Sequence, residues 1–477
     1  MPAVLTRLSA TLVAACLLIA AHVLATPQRA SAATSGYLMT HFIGEGSEGQ
    51  QIYFSHSTDG VHWSDLNGGG MTLRSTVGTR GVRDPALVRS PDGGRYWIIA
   101  TDLCIDCGQS WSDSQSNGSR NLVVWESTDL VTWSAPRLLN VAGAIPDGRN
   151  AWAPEAIWNP ETNDYVLYWA TNATRNGVLK HRIYSARTTD FRAITTPQVY
   201  IDRPGTQSII DTQIVEVPPG TGGYRYVRAS RDGQITLEGS NSILGQWTGL
   251  GNLSGIGLTG SQVEGPMWMK FKDRGEWALY LDQYATGRGY LPTHTTDPSG
   301  PASYRIPAAG SYDMGGVKKR HGSILDLTAA EESRVQARWA PKPASRLQSL
   351  NYPDRYVRHA DFDVRIDAGI SPAQDARFRL RPGLADSGAV SFESVNYPGY
   401  FLRHVDRDFR LSYNDGTTAF GRSATFRQVA GLADPAQASF QAHDSPELYI
   451  RHYAFQLRLD TVTTATGRSD ATFRITS

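Results

Sequence analysis

Apolar runs of strand length recur along the chain, each opened by one charged or titratable side chain and closed by a turn. In Val263-Glu264-Gly265-Pro266-Met267-Trp268-Met269 a carboxylate precedes a Gly-Pro pair and an apolar run, and after a polar turn comes Trp277-Ala278-Leu279-Tyr280-Leu281. Asp84 opens Asp84-Pro85-Ala86-Leu87-Val88 ahead of Tyr96-Trp97-Ile98-Ile99. Glu155 opens Glu155-Ala156-Ile157-Trp158 ahead of Tyr165-Val166-Leu167-Tyr168. Asp211 leads Thr212-Gln213-Ile214-Val215, and His321 leads Gly322-Ser323-Ile324-Leu325. Each copy reads as strand, turn, strand, because the runs are short, rich in aromatic and β-branched residues, and bounded by Gly, Pro and Asn. Five copies of one such unit predict an array or propeller.

A second phrase alternates with the first: Ser57-Thr58-Asp59, Ser127-Thr128-Asp129, Thr188-Thr189-Asp190 and Thr295-Thr296-Asp297, with a degenerate copy between 240 and 247. Ser/Thr and Asp side chains bond to nearby backbone, so these mark turns at blade ends. The expected architecture is five antiparallel blades over 36–331. The N-terminal strands, in 37–54, join the strand after His321 to close the ring. Helical periodicity is scarce, and Ala329-Ala330-Glu331-Glu332 reads as one short turn at most. Residues 332–346, with Pro341 and Pro343, read as a linker.

A different repeat fills 347–477. Asn351-Tyr352-Pro353, Arg358-His359 and Asp375-Ala376-Arg377-Phe378 recur as Asn396-Tyr397-Pro398, Arg403-His404 and Ser423-Ala424-Thr425-Phe426. The third copy is Asp444-Ser445-Pro446, Arg451-His452 and Asp470-Ala471-Thr472-Phe473. Three copies of short strands predict a threefold β-trefoil with one surface pocket per copy. The repeated Arg-His has a structural reading; equally, His, Tyr and Asp together suit sugar hydroxyls, which want donors and acceptors over an aromatic face. The fold class is therefore all-β: a five-bladed β-propeller followed by a β-trefoil.

At the N-terminus, Arg7, the apolar stretch 8–25 and Ala30-Ser31-Ala32 read as a signal peptide over 1–32, the alternative being a retained anchor. No later stretch is long and apolar enough to span a membrane, so a secreted, extracellular protein is expected, with no membrane partner. Lys and Arg total 46 against 45 Asp and Glu, so the chain lacks the basic footprint of a nucleic-acid binder. Cys104 and Cys107 remain after the signal. Export favours a local disulfide, no βαβ pattern supports a redox motif, and two cysteines do not make a zinc site.

The first strand of each blade lines a propeller's axis, so the residues that open those strands converge at one mouth. Carboxylates gathered there raise one another's pKa unless paired. Glycoside hydrolysis uses such a difference, needing one protonated acid and one ionised base or nucleophile. Cation binding by clustered oxygens is the competing use.

Arg83-Asp84-Pro85, Trp152-Ala153-Pro154-Glu155, Ile210-Asp211 and Val263-Glu264-Gly265-Pro266, in that order, resemble the propeller catalytic domain of glycoside hydrolase family 43. The resemblance implies Asp84 as general base, Asp211 as pKa modulator and Glu264 as general acid, with inversion at the anomeric carbon. It implies substrate contacts at Trp152 and Glu155. Many members carry Asp where this chain has Glu155, and Pro where it has Thr212. His321 resembles the family's axial histidine, which implies a structural metal ion such as calcium beside it but no required cofactor. The C-terminal repeats resemble the arabinofuranose-binding module family 42, which implies ligand contacts at His359 with Asp375, His404, and His452 with Asp470. Ser423 replaces the acid in the second copy, so that pocket is expected to be weak. Together the two resemblances imply a monomeric exo-1,5-α-L-arabinofuranosidase acting on arabinose-containing plant polysaccharide. β-Xylosidase, galactofuranosidase or endo-arabinanase activity on the same scaffold, and a non-catalytic sugar-binding protein, are the alternatives.

Overall fold

A computed structural model describes residues 33–46, 48–219, 221–340, 343–386, 388–397 and 399–477. The expected signal peptide, 1–32, lies outside the described residues, as do Pro341 and Lys342 of the expected linker. Among the described residues no helix is long and apolar enough to cross a membrane.

The repeated strand-turn-strand units form antiparallel sheets that the innermost strands join in a ring. The first sheet runs from Val82–Arg89 through Tyr96–Asp102 and Asn121–Ser127 to Arg137–Asn140. The second and third begin with Trp152–Asn159 and Ile210–Glu216 and also have four strands. The fourth, Glu264–Lys270, Trp277–Asp282 and Tyr290–Thr295, has three. The fifth joins the two ends of the chain segment. Arg320–Thr328 lies innermost and pairs with Thr34–Phe42, which is followed by Tyr53–Ser57 and Ser64–Asp65. This is the closure expected from the sequence.

Aromatics pack where neighbouring blades meet: Trp97 lies 5.7 Å from Tyr165 and 5.2 Å from Phe191. Such large buried rings supply much of the apolar area that holds blade to blade. The Ser/Thr-x-Asp turns work as expected. Ser57 Oγ accepts from the amides of Asp59 and Gly60, and Asp59 Oδ1 accepts from those of Val61 and His62. Ser127 and Asp129 repeat the pattern.

The stretch after the propeller differs from expectation. Ala329–Trp339 is an eleven-residue helix rather than a short turn, and it takes up much of the expected linker. Thr328 and Glu331 close a capping box that satisfies two otherwise free amides. Glu331, Val335 and Trp339 are its buried face, with the Trp339 ring edge-on to Phe54 at 6.1 Å. Only two of these three side chains are apolar, so the apolar pattern is faint although the Thr-x-x-Glu cap is plain.

The C-terminal residues form a twelve-stranded sheet built from three like units. Six strands close a barrel-like ring: Ala344–Ser349, Phe378–Pro382, Val390–Ser394, Phe426–Ala430, Ala438–Ala442 and Phe473–Thr476, each paired with the next and the last with the first. Three hairpins, one per unit, pair with one another through their second strands. Phe378, Phe426 and Phe473, one from each Asp/Ser-Ala-x-Phe copy, are buried together in its core. Arg381 reaches Asn67 at 2.9 Å and Arg74 reaches the Tyr413 hydroxyl at 2.7 Å, tying the ring to the fifth blade.

Candidate active site

Each innermost strand begins with the same irregularity. In the first four blades the pairing register slips between Arg83 and Ala86, Trp152 and Glu155, Ile210 and Gln213, and Glu264 and Met267. The residue after the first of each pair has positive φ: Asp84 at 49°, Ala153 at 46°, Asp211 at 51° and Gly265 at 53°. A non-glycine residue held in this region is strained, and such bulges re-aim side chains at the rims of sheets. The fifth blade has its own slip at His321, between Arg320 and Gly322. The equivalence expected from the sequence is thus corrected by one or two residues. Asp84 and Asp211 share a position, Glu264 stands one place earlier, and Glu155 two places after its counterpart Ala153. A two-residue repeat in strand direction makes that difference decisive, because it changes the layer in which a side chain ends.

At the mouth these bulges bring Asp84, Asp211, Glu264 and His321 together. His321 Nδ1 lies 3.4 Å from Asp84 Oδ1 and 3.9 Å from Asp211 Oδ1. Thr101 donates to Asp84 Oδ2 at 2.9 Å, and the Gly265 amide donates to Asp211 Oδ2 at 3.0 Å. Arg320, which sequence reasoning missed, links three acids: Nη2 to Glu264 at 3.3 Å, Nε to Asp282 at 2.8 Å and Nη1 to Glu45 at 3.0 Å. Glu45 also takes Arg83 Nη1 at 2.6 Å. The loop beyond Glu45 carries Gln50, whose Oε1 accepts from the Ile105 amide beside the Cys104–Cys107 disulfide. Arg320 is legible only as the residue before His321; the acids it joins are far apart in sequence.

Glu155 lies one layer below, buried, taking Gln213 Nε2 at 2.6 Å while Gln213 Oε1 accepts from the Trp268 amide. Trp152 stands at the rim, stacked on His181 at 5.0 Å and edge-on to the exposed Trp111 at 6.2 Å. Burial depresses His181 to about 4, so the stacked imidazole is neutral, with Nε2 3.0 Å from Asn150 Nδ2.

The electrostatics separate the acids. Burial pushes Glu264 up to about 8, the Asp211 and Asp282 charges add to this, and Arg320 and His321 only partly oppose it. Burial acts the same way on Asp84, but the His321 hydrogen bond and charge, Arg83 and Thr101 outweigh it and hold the group below the usual carboxylate range. Asp211 is raised, by burial first and then by Asp84, against the pull of His321. Burial would lower His321, yet Asp211, Asp84 and Glu264 carry it to about 10. Glu155 is pushed up to about 8 by burial, against its Gln213 hydrogen bond. Near neutral pH the mouth therefore holds an ionised Asp84, a protonated Glu264 and an imidazolium. Such a pair can give a proton at one point and take one at another.

Beside His321, where a calcium ion was expected, the carboxylates within 4 Å are Asp84 and Asp211. Calcium takes roughly six to eight oxygen ligands. Among the described residues no three His, Cys, Asp or Glu side chains gather as metal ligands. The nearest carboxylates, Asp84 and Asp211, already face a positively charged ring.

In the C-terminal ring two pockets are built alike. His359 Nε2 lies 3.0 Å from Asn396 Oδ1, Asn396 donates to Asp375 Oδ1 at 2.8 Å, and Arg358 donates to Asp375 Oδ2 at 2.7 Å. Its pocket, of about 460 Å³, is walled by Phe362 and Tyr397. His452, Asn351, Asp470 and Arg451 repeat this at 3.1, 2.7 and 2.8 Å, beside Tyr352 and Phe455. The asparagines and aromatic walls come from the following repeat or from the hairpin turn, so a pocket is completed across the repeat boundary. His404 stands apart, its Nε2 facing Asp444 Oδ1 at 3.1 Å.

A five-bladed ring with an ionised and a protonated carboxyl at one mouth is the arrangement that acid–base hydrolysis of a glycosidic bond requires. Residues 33–333 match the family model for a probable glycosyl hydrolase domain related to family 43. The chain belongs to this glycoside hydrolase 43-related family. Residues 345–475 match the alpha-L-arabinofuranosidase B (ABFB) domain. An alpha-L-arabinofuranosidase of Bifidobacterium longum subsp. longum is 31% identical over 210 residues, 40% of this chain and 19% of that protein. An extracellular exo-alpha-(1->5)-L-arabinofuranosidase of Streptomyces avermitilis is 54% identical over 129 residues, 27% of each chain. The chain thus spans well under a third of the length of these curated relatives. A thermostable family-43 glycoside hydrolase of known structure covers 72% of this chain at 17% identity and a TM-score of 0.36, with 96% of its own chain matched, too slight a likeness to carry an argument.

Proposed function

We propose that this protein is a secreted, inverting exo-1,5-α-L-arabinofuranosidase that removes L-arabinofuranose from arabinan or related plant polysaccharides. The observation that carries the reading is the separation of proton states at one mouth: Glu264 raised to about 8, Asp84 lowered. Glu264 gives its proton to the glycosidic oxygen as the bond from that oxygen to the anomeric carbon breaks. Asp84 takes a proton from the water whose oxygen attacks that carbon from the opposite face. Asp211 acts through Glu264, its charge helping to keep the acid protonated, and through the Gly265 amide it holds. His321 keeps Asp84 ionised and in place. Trp152 at the rim offers an aromatic face to a sugar ring. All these groups come from one chain, so the proposed steps need no residue of a second copy. The choice of arabinofuranose is supported by the names of the two relatives and of the C-terminal family model. Secretion is supported by the relative named as extracellular and by the N-terminal apolar stretch.

The C-terminal ring is read as a β-trefoil over 347–477 that holds the enzyme on arabinofuranose-rich polymer, with the propeller over 36–331. Six ring strands, three hairpins and two pockets of like design support this. Product analysis tests the whole reading. Linear α-1,5-arabino-oligosaccharides should yield arabinose alone, first released as the β anomer by NMR. Xylose from xylo-oligosaccharides, or mixed oligomers from debranched arabinan, would overturn it in favour of the β-xylosidase or endo-arabinanase alternatives.

A further inference from the structure

The second C-terminal pocket keeps the arginine and the histidine of the other two but not the acids beside that arginine. Arg358 faces Asp375 at 2.7 Å and Asp367 at 3.7 Å, and Arg451 faces Asp470 at 2.8 Å and Asp460 at 3.9 Å. Register makes Arg403 their counterpart, since it pairs across its hairpin with Arg410 as Arg358 does with Arg365 and Arg451 with Arg458. By the same register Ser412 stands where the others have Asp367 and Asp460, and Ser423 replaces Asp375 and Asp470. Both acids are gone. Ser423 turns its hydroxyl to the Phe420 carbonyl at 3.0 Å. Among the described residues Arg403 has no hydrogen bond or ion pair, and its Nε is buried and donates to nothing. Its guanidinium only rests over the Phe420 ring at 4.9 Å. Asp415 is near enough to feel its charge, but that carboxylate is held by the Thr417 amide and hydroxyl at the surface.

The walls change in the same sense. The left-handed turn pairs Asp361-Phe362, Asp406-Arg407 and Ala454-Phe455 are equivalent, so Arg407 takes the place of the two phenylalanines. Ser445 takes the place of Tyr352 and Tyr397. Two aromatic walls are lost and a second guanidinium is gained, while the one acid brought in, Asp444, is engaged by His404. A neutral furanose loses its apolar faces here. Arg403 is half-buried with only its Nε shut off from solvent, and a ligand that brings a carboxylate restores the missing pair.

We propose that this second pocket binds a carboxylate-bearing sugar, a hexuronate unit of an acidic polysaccharide, its carboxylate taking the place that Asp375 and Asp470 occupy in the other pockets. The inference rests on the reading of the C-terminal ring as a sugar-binding module. It gives the module two kinds of site, neutral and anionic, suited to a polymer that carries both arabinose and uronate.

The test titrates the full chain, carrying Asp84→Asn so that arabinotriose is not consumed, by calorimetry with trigalacturonate, its methyl ester, acetate and arabinotriose. Trigalacturonate should bind in a salt-sensitive way, at least tenfold more tightly than the ester or acetate. Arg403→Met and, separately, Ser423→Asp should each weaken it at least tenfold while leaving arabinotriose binding unchanged, which also reports an intact fold. The inference is overturned by absent trigalacturonate binding, by equal binding of the ester or acetate, or by full binding in both variants. Absent arabinotriose binding with intact trigalacturonate binding would instead sink the assignment of the other two pockets to arabinofuranose.

Discussion

The propeller mouth and the C-terminal ring both repeat one local structure, and they use repetition in opposite ways. At the mouth the same bulge recurs but its residues diverge: Asp84, Ala153, Asp211 and Gly265 share the strained position. In the ring the first and third pockets keep the same His, Asn, Asp and Arg at nearly the same distances. Catalysis needs neighbouring acids in different proton states, so copies of a site must become unlike. Binding to a repeating polymer gains from like copies, because two weak pockets on one chain raise the effective concentration of the second contact.

The largest effect that bears on this contrast is at Asp84. Asp84→Asn should lower kcat by about 10⁴-fold on every substrate, since an amide cannot take the water's proton in its place. Near-normal turnover of arabino-oligosaccharides would end the assignment. Glu264→Gln should cost about 10²- to 10³-fold on arabinan and far less on an aryl arabinofuranoside, whose leaving group needs little protonation. Equal losses on both substrates would remove Glu264 from the acid role.

The pH profile sharpens the point. Glu264 is protonated below its raised value, so activity should fall as pH rises through about 8. The acid limb, set by Asp84, should lie below the usual carboxylate range. Asp211→Asn leaves the burial of Glu264 but removes the charge that adds most to it, so the alkaline limb should move to lower pH. A limb that stays put in stopped-flow or initial-rate profiles refutes the coupling.

Effects in the ring should be smaller. Asp375→Ala and Asp470→Ala should each weaken retention on arabinan in affinity electrophoresis several-fold and together abolish most of it, with kcat on small substrates unchanged. Each change strands an asparagine, a histidine and an arginine. Smallest of all, Ser423→Ala should shift arabinan retention less than about twofold, because its hydroxyl serves only the Phe420 carbonyl. A large loss there would mean that the three pockets are alike after all.

Much of this was legible along the chain. Short apolar runs, Ser/Thr-x-Asp turns and Gly-Pro breaks announce strands, and their recurrence announces a ring. The layer of each side chain at the mouth was not, because a bulge adds one residue without any mark in composition. Glu155 and Glu264 read as equivalents and end in different layers for that reason. Arg320, Glu45 and Gln213 escaped because their partners are brought near only by closure of the ring. The helix Ala329–Trp339 escaped because two buried apolar side chains make a weak period. The threefold repeat of the C-terminal residues was clear, since Arg-His recurs unchanged and Ala-x-Phe follows in every copy, and so was the oddity of Ser423.

The pairing of Thr34–Phe42 with Arg320–Thr328 also sets the order in which this molecule can come into being. Thr34 meets Thr328 across the whole length of the propeller, so the seam is among the most distant contacts the chain makes. Distant pairings are slow to find, and here the search cannot begin until residue 328 has left the ribosome. His321 lies on that last strand. The charge that holds Asp84 ionised therefore arrives only with closure, and a nascent or truncated chain carries acids that are not yet told apart. Loosening of Thr34–Phe42 or of Arg320–Thr328 opens one and the same seam, so trimming at Thr34 and loss of the strand at 320–328 should injure the protein in the same way.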